Sequence, residues 1–530
     1  MTKQNKKTTR TKAEAMPFPV IDLFAGPGGL GEGFASTSDE RGRSLFQNVL
    51  SIEQDEFSHR TLLLRHFFRS FEHDETPDDY YDYVAGRISI EELYSRHKDS
   101  HHAACGSAVR LSLGPKSHQP VRQLIDSRLS RRKAWVLVGG PPCQAYSLVG
   151  RSRMRGDPDF EKDERHFLYR EYLKIICDHA PPVFVMENVK GLLSATISGR
   201  SVISQITADL AQPAKAFGRR SGGPEYKLYS FVEGASHAET ADPRSFVVKA
   251  EEYGIPQARH RIFILGIRSD LNVTPSTLQR QKSPTVHQTI GNLPAIRSGI
   301  SRQADSPELW RSELTSQNLG ELRQRLNGAD YAADLISEIK FVLKKSDPYP
   351  TETYSRRYPG RFRSNHAALL GIYDERLPVL TEHEARSHMP SDLRRYLFAA
   401  TFAKVNECSP KLADFPRHLL PKHKNVSLGR SGKMFSDRFR VQLPDTQSTT
   451  ITSHISKDGH YFIHYDPLQC RSLTVREAAR LQTFPDNYFF EGPRTSQYHQ
   501  VGNAVPPYLA GQIAEVVAQV LRSIKGAGNG

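Results

Sequence analysis

Cysteine and long apolar runs are both scarce in this chain of 530 residues. The five cysteines are scattered, and no pair has the CxxC or Cys/His spacing of a zinc site. This spacing excludes a disulfide scaffold and a structural zinc, and it indicates a reducing compartment. No run of about eighteen apolar residues occurs, which excludes a membrane span. Residues 1–16 are basic and polar without an apolar core, so we predict a disordered tail rather than a secretory signal.

Acidic residues are outnumbered by basic ones. The chain has 72 Lys and Arg against 58 Asp and Glu, a net charge of +14. This excess favours a polyanionic partner, most simply nucleic acid. From composition alone, a basic surface without such a partner remains an alternative. The length allows two or three domains.

One short turn carries the clearest chemical signal. The apolar run at residues 135–138 predicts a buried strand, and Gly-Gly-Pro-Pro at residues 139–142 then forces a tight turn. The turn ends on Cys143. A thiol raised from the carboxyl end of a strand is accessible to a substrate, so we predict that Cys143 is a nucleophile.

The first strand and the second each end in a candidate binding feature. Residues 18–24 predict a strand, and the glycine-rich residues 25–34 predict a turn that opens a helix, where a ligand can approach the backbone. A merely tight turn is the alternative. The strand at residues 48–52 ends at Glu53, an acid that suits ribose hydroxyls, and the alternative is a helix cap or a solvated acid.

Two further segments carry candidate polar groups. Glu187 ends the apolar strand at residues 181–186, and burial there is expected to raise its pKa and suit it to proton chemistry. An acid that caps the next turn is the alternative. Gln257, Arg259 and Arg261 alternate, so an extended segment would point all three to one face, towards an anion or a base edge. The alternative is a solvated edge strand.

The chain divides into four parts by composition. Strand and helix patterns alternate over residues 17–269, which predicts an α/β domain with a doubly wound sheet and an insertion at about 70–120. Residues 270–444 hold 27 Lys and Arg against 18 Asp and Glu, and predict a separate nucleic-acid-reading domain. Residues 445–525 return to order, with a helix that Thr474 and Glu477 cap and a last helix from about 508 to 524.

Several arginines are candidates for DNA contacts. In the basic domain, aromatic residues interleave with basic ones around Arg361 and Arg363 and around Arg438 and Arg440. A polar loop at residues 150–159 follows the Cys143 turn and contains Arg151 and Arg153. These two arginines suit phosphates, and a solvated linker is the alternative.

The motifs together resemble those of the DNA (cytosine-5) methyltransferases, in the order of that family. Six segments carry the resemblance: FAGPGG at 24–29, GGPPCQ at 139–144 with Ser147, ENV at 187–189, QARHR at 257–261, REAARLQ at 476–482 and GNAV at 502–505. The resemblance implies a Rossmann-like, AdoMet-dependent methyltransferase domain with a smaller target-recognition domain between the fourth and fifth segments. Its C-terminal part would fold back beside the first strand.

The resemblance also implies the cofactor and the roles of individual residues. S-adenosyl-L-methionine would be bound by Phe24, Gly26, Gly28, Gly29, Leu30, Glu53, Pro142 and Asn503. Catalysis would use Cys143, Glu187, Arg259 and Arg261, and Ser147 and Gln257 would join the arginines in contacting DNA. Gln54 follows Glu53 where many relatives have an aromatic or aliphatic residue, and Asp126 is a guess for the acid at the adenine amine.

The implied reaction is methylation of C5 on a cytosine that has been flipped out of duplex DNA, through a covalent adduct between Cys143 and C6. We expect a monomeric bacterial enzyme of a restriction-modification system that acts in the cytoplasm with the nucleoid and pairs in function with a restriction endonuclease. The alternatives are an RNA methyltransferase, which the large basic domain argues against, and a catalytically dead binding module, which the intact Cys143, Glu187 and Arg261 argue against.

Overall fold

The computed structural model describes residues 16–72, 75–130, 132–142, 168–197, 199–219, 222–233, 242–315, 319–326, 328–344, 349–421, 426 and 436–527. Cys143, Ser147, Arg151 and Arg153 lie outside the described residues, as does the tail predicted for residues 1–15.

Strands and helices alternate in the first half of the chain, and helices dominate the second. The strands are β1 (Phe18–Leu23), β2 (Phe46–Glu53), β3 (Ala108–Arg110), β4 (Val136–Gly139), β5 (Val183–Val189), β6 (Thr196–Ile197), β7 (Arg200–Ser201), β8 (Tyr226–Tyr229), β9 (Val247–Lys249), β10 (Gln257–Ala258), β11 (His260–Arg268), β12 (Gly299–Ile300), β13 (Ser387–His388) and β14 (Ser448–Thr449).

The α-helices are α1 (Gly29–Ser36), α2 (Glu56–Phe68), α3 (Asp78–Val84), α4 (Ile90–Arg96), α5 (Lys98–Ser107), α6 (His118–Leu129), α7 (Leu168–His179), α8 (Val202–Ala211), α9 (Pro213–Ala216), α10 (Val286–Ile290), α11 (Pro307–Thr315), α12 (Leu319–Arg325), α13 (Ala332–Lys344), α14 (Ala367–Leu370), α15 (Pro390–Asn406), α16 (Val475–Leu481), α17 (Arg494–Asn503) and α18 (Pro507–Ala527).

One mixed sheet organises the first domain. Its strand order is β3-β2-β1-β4-β5-β11-β8, and β9 also pairs with β11. The strands from β3 to β5 are parallel, whereas β11 runs antiparallel to both β5 and β8. The strand order reverses between β1 and β4, and ligands of such sheets bind in the crevice outside the carboxyl ends at this switch point.

Apolar side chains cover both faces of this sheet, as expected for a doubly wound fold. Successive residues of β1, such as Val20 and Ile21, lie on opposite faces of the sheet and belong to different cores. Helices α1 and α18 cover one face, while α6, α7 and α8 cover the other. The α/β prediction is thereby confirmed.

The two ends of the chain pack against each other. Leu30 and Phe34 of α1 share a core with Leu509 and Ile513 of α18. A Cβ atom added to Gly33 would lie 2.5 Å from the carbonyl oxygen of Pro507. The helices therefore approach so closely that only glycine fits between them, and the C-terminal segment completes the first domain.

The insertion forms part of the fold rather than a loop on its surface. Helices α3, α4 and α5 build a small core together with α2 and Leu377, and β3 then joins the edge of the main sheet. Two tyrosines of α3 reach distant segments, because Tyr80 donates to the carbonyl of Asn487 at 2.7 Å and Tyr81 donates to Asp374 at 2.8 Å. The sequence predicted helix here but not the strand.

A second hydrophobic core lies in the basic domain. It draws on α11, α12, α13 and α15. This core also contains Ile463 and Cys470, so it extends beyond residue 444. No helix in the described part of the chain has the length and apolar character needed to span a bilayer.

Replacing Gly33 by alanine tests the contact between α1 and α18. Alanine is the better helix former, yet its methyl group would overlap Ala510, so we expect destabilisation by about 1–3 kcal/mol. The thermal unfolding midpoint of the purified chain reports the change. Gly114→Ala is the matched control, because nothing lies within 4 Å of a Cβ added there. Equal midpoints for Gly33→Ala and the wild type would contradict the close contact.

Candidate active site

Four parallel strands end at one edge of the sheet and bring the predicted site residues together. Phe24 follows β1, and Glu53 is the last residue of β2. Gly140 follows β4, and Glu187 lies near the carboxyl end of β5. The register aligns Leu23 with Gly139 and Gly139 with Met186. Residues that were predicted from separate motifs therefore share one crevice at the switch point.

The glycine-rich turn after β1 has a left-handed backbone. Phe24, Gly26 and Gly28 have φ angles of 57°, 58° and 97°. A Cβ at Gly26 would meet nothing within 4 Å, so the backbone there faces open space. A Cβ at Gly29 would overlap the carbonyl of Val505, so glycine is required there for packing. The side chain of Leu30 lies in the core, which leaves only its backbone for a ligand.

Glu53 is held by three backbone N–H groups. Gly26 donates to one carboxylate oxygen at 2.8 Å, and Gln54 and Asp55 donate to the other at 2.9 and 2.8 Å. Asp55, not Glu53, caps α2, because its side chain accepts from the amide of Ser58 at 2.8 Å. The capping alternative for Glu53 is thus removed, and its carboxylate is fixed beside the glycine turn.

A cavity of about 640 Å³ adjoins Glu53, and its lining residues are Gln54, Asp55, Glu56, Arg110, Leu111 and Ser112. The last three lie at and beyond the end of β3, and sequence reasoning missed them because this strand has only three residues. Asp126 does not line the cavity. It lies on α6 beside Arg122 and 3.2 Å from His179, and its contact with an adenine stays a prediction.

The turn that leads to Cys143 is fixed by the neighbouring strand. The side-chain amide of Asn188 donates to the carbonyl of Pro141 at 3.0 Å inside the protein. A Cβ added to Gly140 would lie 2.8 Å from a carboxylate oxygen of Glu187. The acid therefore lies directly against the backbone of the turn. Asn188 is a functional candidate within the ENV motif, and sequence reasoning assigned it no role.

Glu187 is largely buried and paired with one arginine. Nε of Arg261 lies 3.2 Å from its carboxylate. Burial raises the pKa of Glu187 above its usual value, while the positive charges of Arg261 and Arg259 act in the opposite direction. The acid is thus suited to stay protonated to higher pH than a solvated glutamate, as the sequence predicted.

Gln257 and Arg259 lie in the interior, which corrects the prediction of one exposed face. Gln257 is completely buried, donates to Gln482 at 3.1 Å and accepts from the amide of Ile451 at 2.7 Å. Its predicted contact with DNA is therefore wrong for this conformation. The reason is that this face of β10 packs against the end of α16, where the Gln257 side chain donates to the carbonyl of Leu481 and to Gln482.

Arg259 connects two segments that lie far apart in sequence. It is 1% exposed and donates to the carbonyl of Ile451 at 2.8 Å and to that of Gly502 at 3.3 Å. Asn503 follows on the surface at the end of α17, and Ala504 lies 3.2 Å from a Cβ added to Gly29. Arg259 thus fixes the Asn503 segment beside the glycine turn.

The predicted DNA-contacting arginines of the basic domain lie on two segments that pack against different hydrophobic cores. Arg361 and Arg363 are exposed on a segment whose Tyr358 packs against the insertion core, and Arg361 pairs with Glu375. Arg438 and Arg440 flank Phe439, which belongs to the second core. The structure therefore separates the two pairs of arginines.

Among the described residues, no group of three His, Cys, Asp or Glu side chains could hold a metal ion.

Comparison with known proteins agrees with this geometry. The family profile of the C-5 cytosine-specific DNA methylases matches residues 113–214 and 243–519. The type II methyltransferase M.Bpa9945I of Bacillus paralicheniformis is 32% identical over 526 residues, which are 95% of this chain and 99% of the relative. M.AgeI of Thalassovita gelatinovora, also a type II methyltransferase, is 28% identical over 94% of this chain and 98% of its own.

A third relative is named for the chemistry itself. The DNA (cytosine-5-)-methyltransferase M.ApeKI of Aeropyrum pernix is 27% identical over 81% of this chain and 91% of its own. The protein belongs to the C-5 cytosine-specific DNA methylases. It is a DNA (cytosine-5-)-methyltransferase, and the family prediction is confirmed.

Asn188→Asp tests the bond that fixes the Cys143 turn. The substitution keeps the size of the side chain but places an acceptor against the carbonyl of Pro141. Loss of a buried hydrogen bond costs about 1–3 kcal/mol, so methylation of duplex DNA should slow by about 5- to 150-fold. Asn406→Asp is the control, because Asn406 makes the same kind of bond to Phe402 at 3.0 Å on α15. Equal rates for the two variants would contradict the role of Asn188.

Asp22 is a buried acid under the glycine turn that the sequence analysis passed over. It lies on β1, is 1% exposed, and neither carboxylate oxygen has a partner of good hydrogen-bond geometry among the described residues. Burial first, and then the charge of Glu53, raise the pKa of Asp22 to about 8, against the effect of the Gly31 amide. The folded protein therefore keeps a proton on this group at neutral pH.

This raised pKa predicts a pH-dependent loss of stability. An unfolded Asp loses its proton near pH 4, so between about pH 4 and pH 8 the native state binds one proton more and stability falls as pH rises. From pH 5 to pH 7 the wild type should lose about 3 kcal/mol of unfolding free energy more than Asp22→Asn. Urea unfolding at the two values measures this. Asp99→Asn, at an exposed site, is the control, and parallel pH profiles for wild type and Asp22→Asn would contradict the assignment.

Proposed function

We propose that this enzyme methylates C5 of one cytosine within a specific sequence of duplex DNA, through a covalent adduct between Cys143 and C6 of the flipped-out base. The observation that carries the proposal is the placement of Glu187 against the Gly140–Pro141 backbone, with Arg261 at its carboxylate. The turn that bears the nucleophile and the acid that would face the base are thus held together.

The residues at the switch point fit S-adenosyl-L-methionine. Gly26 leaves open space at its backbone, Glu53 presents a fixed carboxylate, and the cavity beside Glu53 is roomy enough for an aromatic ring system. Glu53 would accept hydrogen bonds from ribose hydroxyls, and Phe24, Pro142 and Asn503 would line the remaining contacts. When bound, the cofactor supplies the methyl group that becomes attached to C5.

The described residues support distinct roles around the base. Cytosine C5 becomes nucleophilic only after a thiolate adds to C6, and Cys143 is the thiol at the end of the fixed turn. Glu187, whose pKa is raised by burial, would hydrogen-bond N3 and stabilise the charge that develops as the adduct forms. Arg261 would orient Glu187 and face the base O2. Loss of the C5 proton to a base and expulsion of the Cys143 thiolate then release the product.

Arg259 supports this arrangement from behind rather than by touching the base. Both of its terminal nitrogens donate to backbone carbonyls, of Ile451 and Gly502. We infer that it positions the segments on the DNA side and the cofactor side relative to each other, which revises the catalytic role that the motif implies.

The target base must leave the duplex, because its C6 and C5 are otherwise inaccessible to a residue in the crevice. Unstacking costs a few kcal/mol, which contacts in the pocket would offset. Because type II methyltransferases are among the relatives, we further propose that the enzyme acts on cytoplasmic DNA and protects it from a cognate restriction endonuclease.

Trapping with 5-fluorocytosine tests the mechanism, because fluorine at C5 prevents the elimination that frees the cysteine. Duplex DNA that contains 5-fluorocytosine at the target should form a complex stable to denaturing gels with the wild type and with Cys408→Ala, which removes an exposed thiol. Cys143→Ala should form none. A trapped complex with Cys143→Ala would refute the proposed nucleophile, and methylation of tRNA in preference to duplex DNA would refute the proposed substrate.

A further inference from the structure

Two side chains of the basic domain and one of the segment that follows it form an interlocked group. Nη1 of Arg440 donates to the hydroxyl of Tyr461 at 3.0 Å and lies 3.3 Å from the carboxylate of Asp437. The Tyr461 hydroxyl in turn donates to Asp437 at 2.6 Å. Each member fixes the other two, so the guanidinium has one preferred position. We refer to Asp437, Arg440 and Tyr461 as the Arg440 cluster.

The cluster leaves one edge of the guanidinium available. Within the described residues, Nε and Nη2 of Arg440 have no hydrogen-bond partner, and the side chain is 36% exposed. Its hydrogen bond and ion pair with described residues are both made through Nη1. A fixed guanidinium whose Nε and Nη2 are parallel N–H donors matches two acceptors side by side.

The backbone around Arg440 is also held on both sides. Its amide donates to the carbonyl of His460 at 2.9 Å, and its carbonyl accepts from the amide of Ile463 at 2.9 Å. Phe439 and Val441, its neighbours in sequence, are buried in the second core. The cluster therefore stands on rigid structure, which binding sites of high specificity require.

A short chain of contacts connects the cluster to the proposed catalytic residues. The side-chain oxygen of Gln442 accepts from the amide and the hydroxyl of Thr449 at 2.9 and 3.1 Å. Thr449 pairs with Ala258 in the β10–β14 ladder, and β11, which carries Arg261, begins two residues later. A base held at Arg440 would thus be held in a fixed relation to a base held at Glu187.

Two other arginines that were predicted to contact DNA, Arg438 and Arg361, are held differently. Arg438 lies 3.9 Å from Asp458 without a hydrogen bond, and Arg361 pairs with Glu375 where both side chains are about 70% exposed. Loosely held cations suit phosphates, which fix position but carry no sequence information. Only an arginine with a fixed orientation can discriminate between base edges.

We propose that Arg440 is a specificity-determining residue that reads a guanine of the recognition sequence, and that Asp437 and Tyr461 position it. Nε and Nη2 would donate to O6 and N7, the two acceptors that guanine presents in the major groove. This inference rests on the proposed function, since it presupposes a duplex DNA substrate. It predicts that at least one guanine, at a fixed spacing from the methylated cytosine, belongs to the recognition sequence.

The test is methylation of a duplex library with random sequence, followed by bisulfite sequencing. The wild type defines the required bases. Arg440→Lys, which keeps the charge but loses the fork, should lose discrimination of about 5- to 150-fold at one guanine position and leave the others unchanged. Arg440→Gln should shift the preference at that same position towards adenine.

Two further variants separate reading from folding and from charge. Tyr461→Phe should reduce discrimination at the same position by a smaller factor, with unchanged cofactor affinity and unfolding midpoint. Arg438→Gln removes a nearby cation and should weaken binding to all sequences alike, with the salt slope reduced by about one.

The outcomes are distinguishable. An unchanged base preference for Arg440→Lys, or a loss spread over all positions as for Arg438→Gln, would overturn the inference. If Arg440→Lys lowers the unfolding midpoint, Tyr461→Phe decides, and unaltered discrimination in that variant overturns it. Failure of the wild type to methylate any duplex would instead refute the proposed function.

Discussion

The close packing of α1 against α18 is the constraint on which the rest of the structure depends. Gly29 and Gly33 allow backbone and side chains of residues 504–510 to lie where any Cβ atom would stand. The contact closes one core of the sheet, and it also brings the Asn503 segment beside the glycine turn. The packing around Gly29 and Gly33 thus contributes to stability and also places Asn503, a proposed cofactor residue, beside the glycine turn.

Burial is the largest influence on the pKa values of two acids near the site, Glu187 and Asp22. Glu187 has one arginine at its carboxylate and a second nearby, yet burial still raises its pKa. Asp22 lies on β1, which β4 separates from β5, and burial likewise raises its pKa, to about 8. Glu53 at the same end of the sheet differs, because its carboxylate accepts from three backbone N–H groups.

Much of this could be predicted from sequence, and the failures have physical reasons. Short apolar runs predicted the strands, and the capping pair of Thr474 and Glu477 predicted a helix start that the structure reproduces. Strand periodicity could not tell that Gln257 is covered by helices from the far end of the chain, because burial of a strand depends on what packs over it. The short β3 escaped notice for a related reason, since three residues carry no period.

The separation of Gly33 from Ala510 along the chain has a consequence for biosynthesis. A ribosome adds about 5–20 residues per second, so the first strands exist for on the order of tens of seconds before α18 emerges. During that time one face of the nascent sheet has no cover, and the glycine turn has no Asn503 segment beside it. The contacts of the insertion also form late, because Tyr80 and Tyr81 donate hydrogen bonds to Asn487 and Asp374. A translating chain of this enzyme is therefore an apolar, catalytically incomplete species until its synthesis is almost finished.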